Sequence, residues 1–120
     1  MKNSSKQLEL FRDMVISRME LEQSLCSDIY KLKLDCPVEI ESVHVIDALK
    51  QYKEGRIARD RLIEWTNVVW FSDAFDYNDE QQDSIASVMN ELEELDEGKE
   101  ELSQEDVDRY IRALSTNQEI

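Results

Sequence analysis

The sequence predicts an all-α fold, a single-domain bundle of about five helices that opens with a long N-terminal helix. The chain has only two glycines and one proline, so few residues interrupt helices. Apolar residues make up 41% of the chain, and most recur at three- and four-residue steps. A length of 120 residues is typical of one domain, so residues 1–120 are expected to form a single helical domain.

The long N-terminal helix is predicted over residues 5–34, where apolar side chains recur along one face, with some drift in the middle. This face consists of Leu8, Phe11, Val15, Leu21, Leu25, Ile29 and Leu32, and Met14, Met19 and Cys26 widen it. Pro37 is expected to end the helix, because the residue before a proline is driven out of the helical region. Residues 35–41 then form an extended link.

Two shorter helices are predicted at residues 43–54 and at about 58–71. Ser42 is a suitable N-cap for the first of them. Gly55 lies just past its end, where a residue in the left-handed region is expected. The predicted core residues are Val45 or Ile46, Leu49 and Tyr52 in one helix, and Leu62, Trp65 and Val69, with Ile63, Thr66 and Trp70 as further candidates, in the other.

A polar loop at residues 72–79 is predicted to lead into a fourth helix at about 80–95, which Asn78 or Asp79 can cap. The last helix is predicted to start at Ser103. The inward stripes are Ile85, Val88, Met89, Leu92 and Leu95 in the fourth helix, and Val107, Tyr110, Ile111 and Leu114 in the last. The tail after them, residues 115–120, is expected to fray.

The net charge of −14 is concentrated in one part of the chain. Residues 1–71 carry 12 acids and 11 bases, whereas residues 72–108, the acidic segment, carry 15 acids and one base. Phosphates and anionic lipids would be repelled, so we expect no direct contact of this segment with nucleic acid or a membrane. A basic protein is the expected partner, because opposite potentials speed encounter.

The sequence does not favour an enzyme. Its one histidine, His44, excludes most histidine-based triads and metal clusters, and is expected to be structural or exposed. The stretch from Asp76 to Glu80 begins like a calcium loop, but Gln81 replaces the loop glycine and Ser87 stands where a bidentate glutamate belongs. We therefore expect no catalytic residue, no cofactor and no metal site, and a carboxylate-based enzyme is the weakest hypothesis.

The expected location is the cytoplasm. No apolar stretch follows the first residues as in a signal peptide, and no apolar run approaches the length of a membrane span. In that compartment Cys26 and Cys36 are expected to be free thiols, with a disulfide between them as the minor alternative.

Aromatic side chains crowd the start of the acidic segment. Trp65 is expected in the core. Phe71, Phe75 and Tyr77 cannot all face the core from a helix end and a loop, so one or two should be exposed among acids. Such a mixture is typical of an interface hot spot with a steering rim, and ordinary packing is the alternative. The candidate partner-binding residues are Trp70, Phe71, Asp73, Phe75, Asp76, Tyr77, Asp79, Glu80, Asp83, Glu91 and Glu94.

Three stretches resemble small acidic helical immunity proteins of bacteria, including contact-dependent growth-inhibition types: YKEGRI at 52–57, LIEWTN at 62–67 and IASVMNEL at 85–92. The resemblance covers about residues 49–114. It implies a protein that binds a cognate toxin domain, often a nuclease, and blocks it. The tyrosine-pair motif of colicin-DNase immunity proteins is lacking, so their binding mode is not transferred. The alternative is an acidic regulatory or adaptor protein that binds a basic transcription or translation component.

Overall fold

The computed structural model describes residues 4–31, 37–95 and 102–120, and within them the chain forms six helices and two short strands. Their order is α1 (Ser4–Arg12), α2 (Arg18–Leu25), β1 (Val38–Ile40), α3 (Ser42–Lys53), α4 (Arg59–Phe71), β2 (Phe75–Tyr77), α5 (Gln82–Glu93) and α6 (Gln104–Ser115). The fold is mostly helical, as predicted. The prediction of about five helices and no strands was wrong.

The long N-terminal helix predicted over residues 5–34 is also wrong, because α1 and α2 occupy its described part as two short helices. Between them Met14 has φ +68, in the left-handed region. The side chain of Met14 is buried, whereas Val15 is 64% exposed, so the drift in the apolar pattern marks a real break. Ser17 then caps α2, its hydroxyl accepting the N–H of Glu20 while the Glu20 carboxylate accepts the N–H of Ser17.

The two strands come from segments predicted as an extended link and a polar loop. They pair in parallel, with Val38 opposite Phe75, Glu39 opposite Asp76, and Ile40 opposite Tyr77. Parallel strands need a long crossover connection, and here α3 and α4 supply it. Val38 and Ile40 are buried, whereas Glu39 is exposed. The pairing of the strands therefore places the exposed carboxylate of Glu39 beside that of Asp76.

All six described helices contribute to one hydrophobic core. Trp65 is fully buried at its centre, as predicted, and its indole N–H donates to the carbonyl of Arg12 (3.1 Å). The predicted apolar stripe of α5 is buried throughout, and that of α6 is buried except for Ile111, which is half-buried. None of the helices in the described ranges is long and apolar enough to span a membrane.

The helix ends follow the predictions at α3's C-terminus and at α6. Gly55 has φ +78 just past α3, and the Ser103 hydroxyl accepts the N–H of Asp106 (3.1 Å). Two predicted N-caps are wrong. Ser42 is the first residue of α3, after Glu41 as the N-cap, and Gln81 precedes α5 without a side-chain cap, because Asn78 instead accepts the N–H of Glu80.

Replacing Gly55 with alanine is expected to lower the free energy of unfolding by about 1 kcal/mol, because a Cβ is disfavoured at positive φ. Apart from Gly55 and its two chain neighbours, no residue has an atom within 4 Å of that Cβ position, so backbone strain alone sets the loss. Urea denaturation of both proteins measures it. Gly55→Asn is the control and should lose less, since asparagine tolerates the left-handed region. An alanine variant as stable as the wild type would contradict this reading.

The C-terminal tail, which the sequence predicts to fray, forms hydrogen bonds with α5 and with the loop that precedes it. Asn117 has φ +54, and its side-chain amide donates to the carbonyl of Glu80 (3.0 Å) and accepts from the hydroxyl of Ser84 (3.0 Å). The N–H of Ile120 donates to the hydroxyl of Ser87 (3.3 Å). The tail therefore lies along α5 and holds the loop that leads into it.

Candidate functional site

An open depression of about 270 Å³ lies where β2 leads towards α5. Tyr77 and Asn78 form part of its lining. The rest of its lining consists of four exposed carboxylates: Glu39, Asp76, Asp79 and Glu80. We call this site the acidic depression. Asp76, Asp79 and Glu80 were predicted site residues. The structure brings Glu39, from strand β1, beside them.

Glu39 was missed by the sequence reasoning. It lies in the near-neutral part of the chain, and only the parallel pairing of β1 with β2 places it opposite Asp76. The alternation of Val38, Glu39 and Ile40 after Pro37 is a weak strand signal, but a three-residue strand is too short to identify its partner.

The backbone of the acidic depression is tied down on several sides. Asn78 donates its backbone N–H to the carbonyl of Ile40 (3.0 Å) and its side-chain amide to Glu39 (3.2 Å). The side-chain carbonyl of Gln81 accepts the N–H of Ser42 (2.8 Å), which joins this loop to the start of α3. A loop fixed in this way loses little conformational entropy when a partner binds.

The charges of the acidic depression are not balanced within the protein. In the three ranges that the structure describes, none of its four carboxylates forms an ion pair. Arg12 approaches this region, but its guanidinium donates to the backbone carbonyl of Glu39 (3.0 Å) and pairs with Asp13 (3.1 Å). Four exposed like charges at one place produce a strong local negative potential.

The acids of α6 differ in this respect. Asp108 pairs with Lys53 (2.5 Å) and Asp106 pairs with Arg109 (3.3 Å). The acidic segment defined from the sequence is therefore not one face, because its α6 end is compensated while its β2–α5 end is not.

Tyr77 lines the acidic depression, and Trp70 packs against Tyr77. Trp70 and Tyr77 are half-buried and their rings pack with centroids 5.5 Å apart. The Tyr77 hydroxyl donates to the carbonyl of Val69 (2.7 Å). Burial, with a smaller contribution from the charge of Asp76, raises the pKa of Tyr77 well above its usual value, so its hydroxyl remains a donor.

The other two aromatic candidates lie elsewhere. Phe75 is only 6% exposed and packs against Phe11 (6.3 Å between ring centroids), so its side chain belongs to the core and is removed from the surface candidates. Phe71 is 56% exposed. It lies with Asp73 at the other end of β2, where the hydroxyl of Ser72 donates to the carbonyl of Ile29 (3.1 Å).

The remaining acidic candidates are spread along α5. Asp83 is exposed in its first turn, near Glu80. Glu91 and Glu94 lie at its far end, and 12 helical residues span about 18 Å. Glu91 accepts the hydroxyl of Tyr110 (3.4 Å), and burial together with this carboxylate raises the pKa of Tyr110 to about 12. The predicted set is thus not one contiguous surface.

No metal centre is found in the described ranges, where no three of the His, Cys, Asp and Glu side chains are placed to hold an ion. The calcium-loop reading of Asp76 to Glu80 gains no support from the geometry. Cys26 is an exposed free thiol, and Cys36 lies outside the described residues.

His44 has a structural role at the start of α3, where its Nδ1 accepts the N–H of Glu41 (2.8 Å). It is half-buried, and burial, followed by the charge of Arg12, lowers the pKa of His44 below 6.5. Protonation would place a hydrogen on Nδ1 and break this bond.

The pKa shift of His44 predicts a pH dependence of stability. The unfolded chain binds the proton more readily, so the contribution is complete above about pH 6.5 and is lost as the pH falls towards the lower folded pKa. In His44→Gln the side-chain oxygen can still accept the N–H of Glu41, but glutamine does not titrate. We therefore expect the stability of this variant to fall less than that of the wild type as the pH is lowered. Urea denaturation between neutral and mildly acidic pH measures it, and identical pH profiles for the two proteins would refute it.

Comparison of the chain with protein-family models, with curated proteins and with solved structures gave no match.

Proposed function

We propose that this protein is a cytoplasmic inhibitor of the immunity type, which binds a basic cognate toxin domain, one that acts on nucleic acid, and blocks it. The observation that carries the proposal is the acidic depression: four exposed carboxylates fixed side by side with no ion pair among the described residues. Like charges held together raise the energy of the free protein, and a basic partner relieves this cost.

The binding mechanism is mimicry of phosphates. A nuclease cleft presents lysine and arginine side chains that bind the phosphates of its substrate. Carboxylates accept the same charge-assisted hydrogen bonds, including two parallel bonds from one arginine. Because the loop carrying Asp79 and Glu80 is tied to Ile40, Ser42 and Asn117, its carboxylates occupy the cleft with little loss of backbone entropy.

Trp70 and Tyr77 supply the apolar part of this surface. Tryptophan and tyrosine are enriched among the hot spots of protein interfaces, and an arginine can stack on their rings. Asp83, in the first turn of α5, extends the negative rim, which speeds encounter more than it strengthens the complex.

Co-expression tests the proposal. The chain is co-expressed with the product of each neighbouring reading frame in turn, to find one that is toxic, and growth is followed with and without the chain. We expect the chain to restore growth and, when mixed with the purified domain, to abolish its nuclease activity. Capture of a transcription or translation component, with no protection against the toxin, would replace the inhibitor by the regulatory alternative.

A further inference from the structure

A second concave surface lies between α2 and α4 and shares no lining residue with the acidic depression. It is an open groove of about 690 Å³, and we call it the α2–α4 groove. Its lining includes Met19, Arg18 and the carboxylates of Glu22, Asp28 and Glu64. The groove therefore combines an apolar side chain with excess negative charge.

Apolar side chains are exposed at this groove and beside it. Met19 is 70% exposed, and Tyr30, whose ring lies 4.8 Å from the guanidinium carbon of Arg18, is 38% exposed. Met19 follows Arg18 in α2 and the Tyr30 ring packs against the guanidinium of Arg18, so both exposed side chains adjoin Arg18. Exposed apolar side chains at a concave surface are typical of interaction sites.

The charges of the groove favour a cationic occupant. Oε2 of Glu22 accepts the N–H of Ile29 (2.8 Å) and lies 3.4 Å from Nε of Arg18, and Oε1 of Glu64 accepts the backbone N–H of Arg18 (2.9 Å). Within the described residues the second oxygen of each carboxylate takes no further hydrogen bond. Three carboxylates against one guanidinium leave the groove negative.

We propose that the α2–α4 groove is a second docking site, which receives a cationic amphipathic segment of the partner. An apolar side chain of that segment packs against Met19 and Tyr30, and flanking lysines or arginines bind Glu22 and Glu64. The proposal rests on the proposed function, because it describes how the same basic partner is held at a second place. A second copy of this chain is a poor occupant, since each copy carries a net charge of −14.

Two synthetic peptides test the site on the full chain by NMR: an amphipathic helix of leucine and lysine, and an oligolysine of equal charge. We expect both peptides to shift signals of the acidic depression, and only the leucine–lysine peptide to shift the Met19 methyl signal strongly, because only it carries apolar side chains that can pack there. Met19→Gln should weaken binding of the leucine–lysine peptide about tenfold, because it removes the apolar contact without changing the charge of the groove. Val43→Gln, the same kind of change at a position on α3 that is 60% exposed, is the matched control and should bind normally.

The outcomes separate the two proposals. If both peptides shift the Met19 methyl equally, or if Met19→Gln and Val43→Gln behave alike, the groove is not a docking site. An increase in mass with concentration that Met19→Gln abolishes would make the groove a contact between copies, which also overturns the proposal. An oligolysine that fails to shift the acidic depression would instead count against the proposed function and leave the groove standing.

Discussion

Neutralising the acidic depression is expected to slow association with the basic partner about 100-fold at low ionic strength, because electrostatic steering raises such rates by factors of this order. The variant carries Glu39→Gln, Asp76→Asn, Asp79→Asn and Glu80→Gln. Stopped-flow mixing with the purified toxin domain measures the rate, and the difference from wild type should shrink as salt is added.

The matched control changes two aspartates and two glutamates elsewhere that are also exposed: Glu9, Asp47, Asp60 and Glu105. Both variants lose four negative charges. If the steering is local, association slows only in the depression variant. Equal slowing in both variants would assign the steering to net charge. Urea denaturation excludes unfolding as the cause. The depression variant should be at least as stable as wild type, since Glu39 and Asp76 are like charges directly opposite in the sheet.

Trp65→Ala is expected to lower the free energy of unfolding by about 3–5 kcal/mol. Trp65 is fully buried among the helices, and its indole donates to the carbonyl of Arg12 at the end of α1. The truncation leaves a cavity and an unpaired carbonyl. Because small domains are stable by only about 5–15 kcal/mol, much of the variant population should unfold under mild denaturant, as circular dichroism can follow.

Trp65→Phe separates the two parts of that loss. Phenylalanine keeps an aromatic ring in the core and removes the indole donor, so the loss should be clearly smaller than for alanine. If Trp65→Ala were destabilised by less than about 1 kcal/mol, a value typical of exposed positions, this residue would not be at the centre of the core.

The helices from α3 onwards were predictable because their signals are local. The α5 stripe from Ile85 to Leu92 repeats every three or four residues, and Gly55 and Ser103 mark helix ends by backbone conformation and side-chain chemistry alone. The helix break at Met14 had a local signal as well. Ser17 followed three residues later by Glu20 forms a capping box. Because the apolar stripe looked continuous across it, one long helix was predicted instead of two short ones.

The sheet was not predictable, because its two strands have three residues each and their pairing joins residues 37 positions apart. The candidate site likewise has one part that the sequence predicts and one part that it does not. Asp76, Asp79 and Glu80 are neighbours in sequence and were predicted together, whereas Glu39 joins them only through the sheet. Likewise, no local pattern indicates that Lys53 of α3 pairs with Asp108 of α6 and removes that acid from the uncompensated surface.

The central claim is that a basic partner binds the acidic depression, and a hydrogen-exchange footprint of the complex tests it most directly. Exchange of the free chain is compared with that of the chain bound to the toxin domain. We predict slower exchange on binding at residues 38–41 and 75–83, with the α6 surface around Asp106 and Asp108 unchanged. Slower exchange at α6 alone, with residues 75–83 unchanged, would contradict the claim.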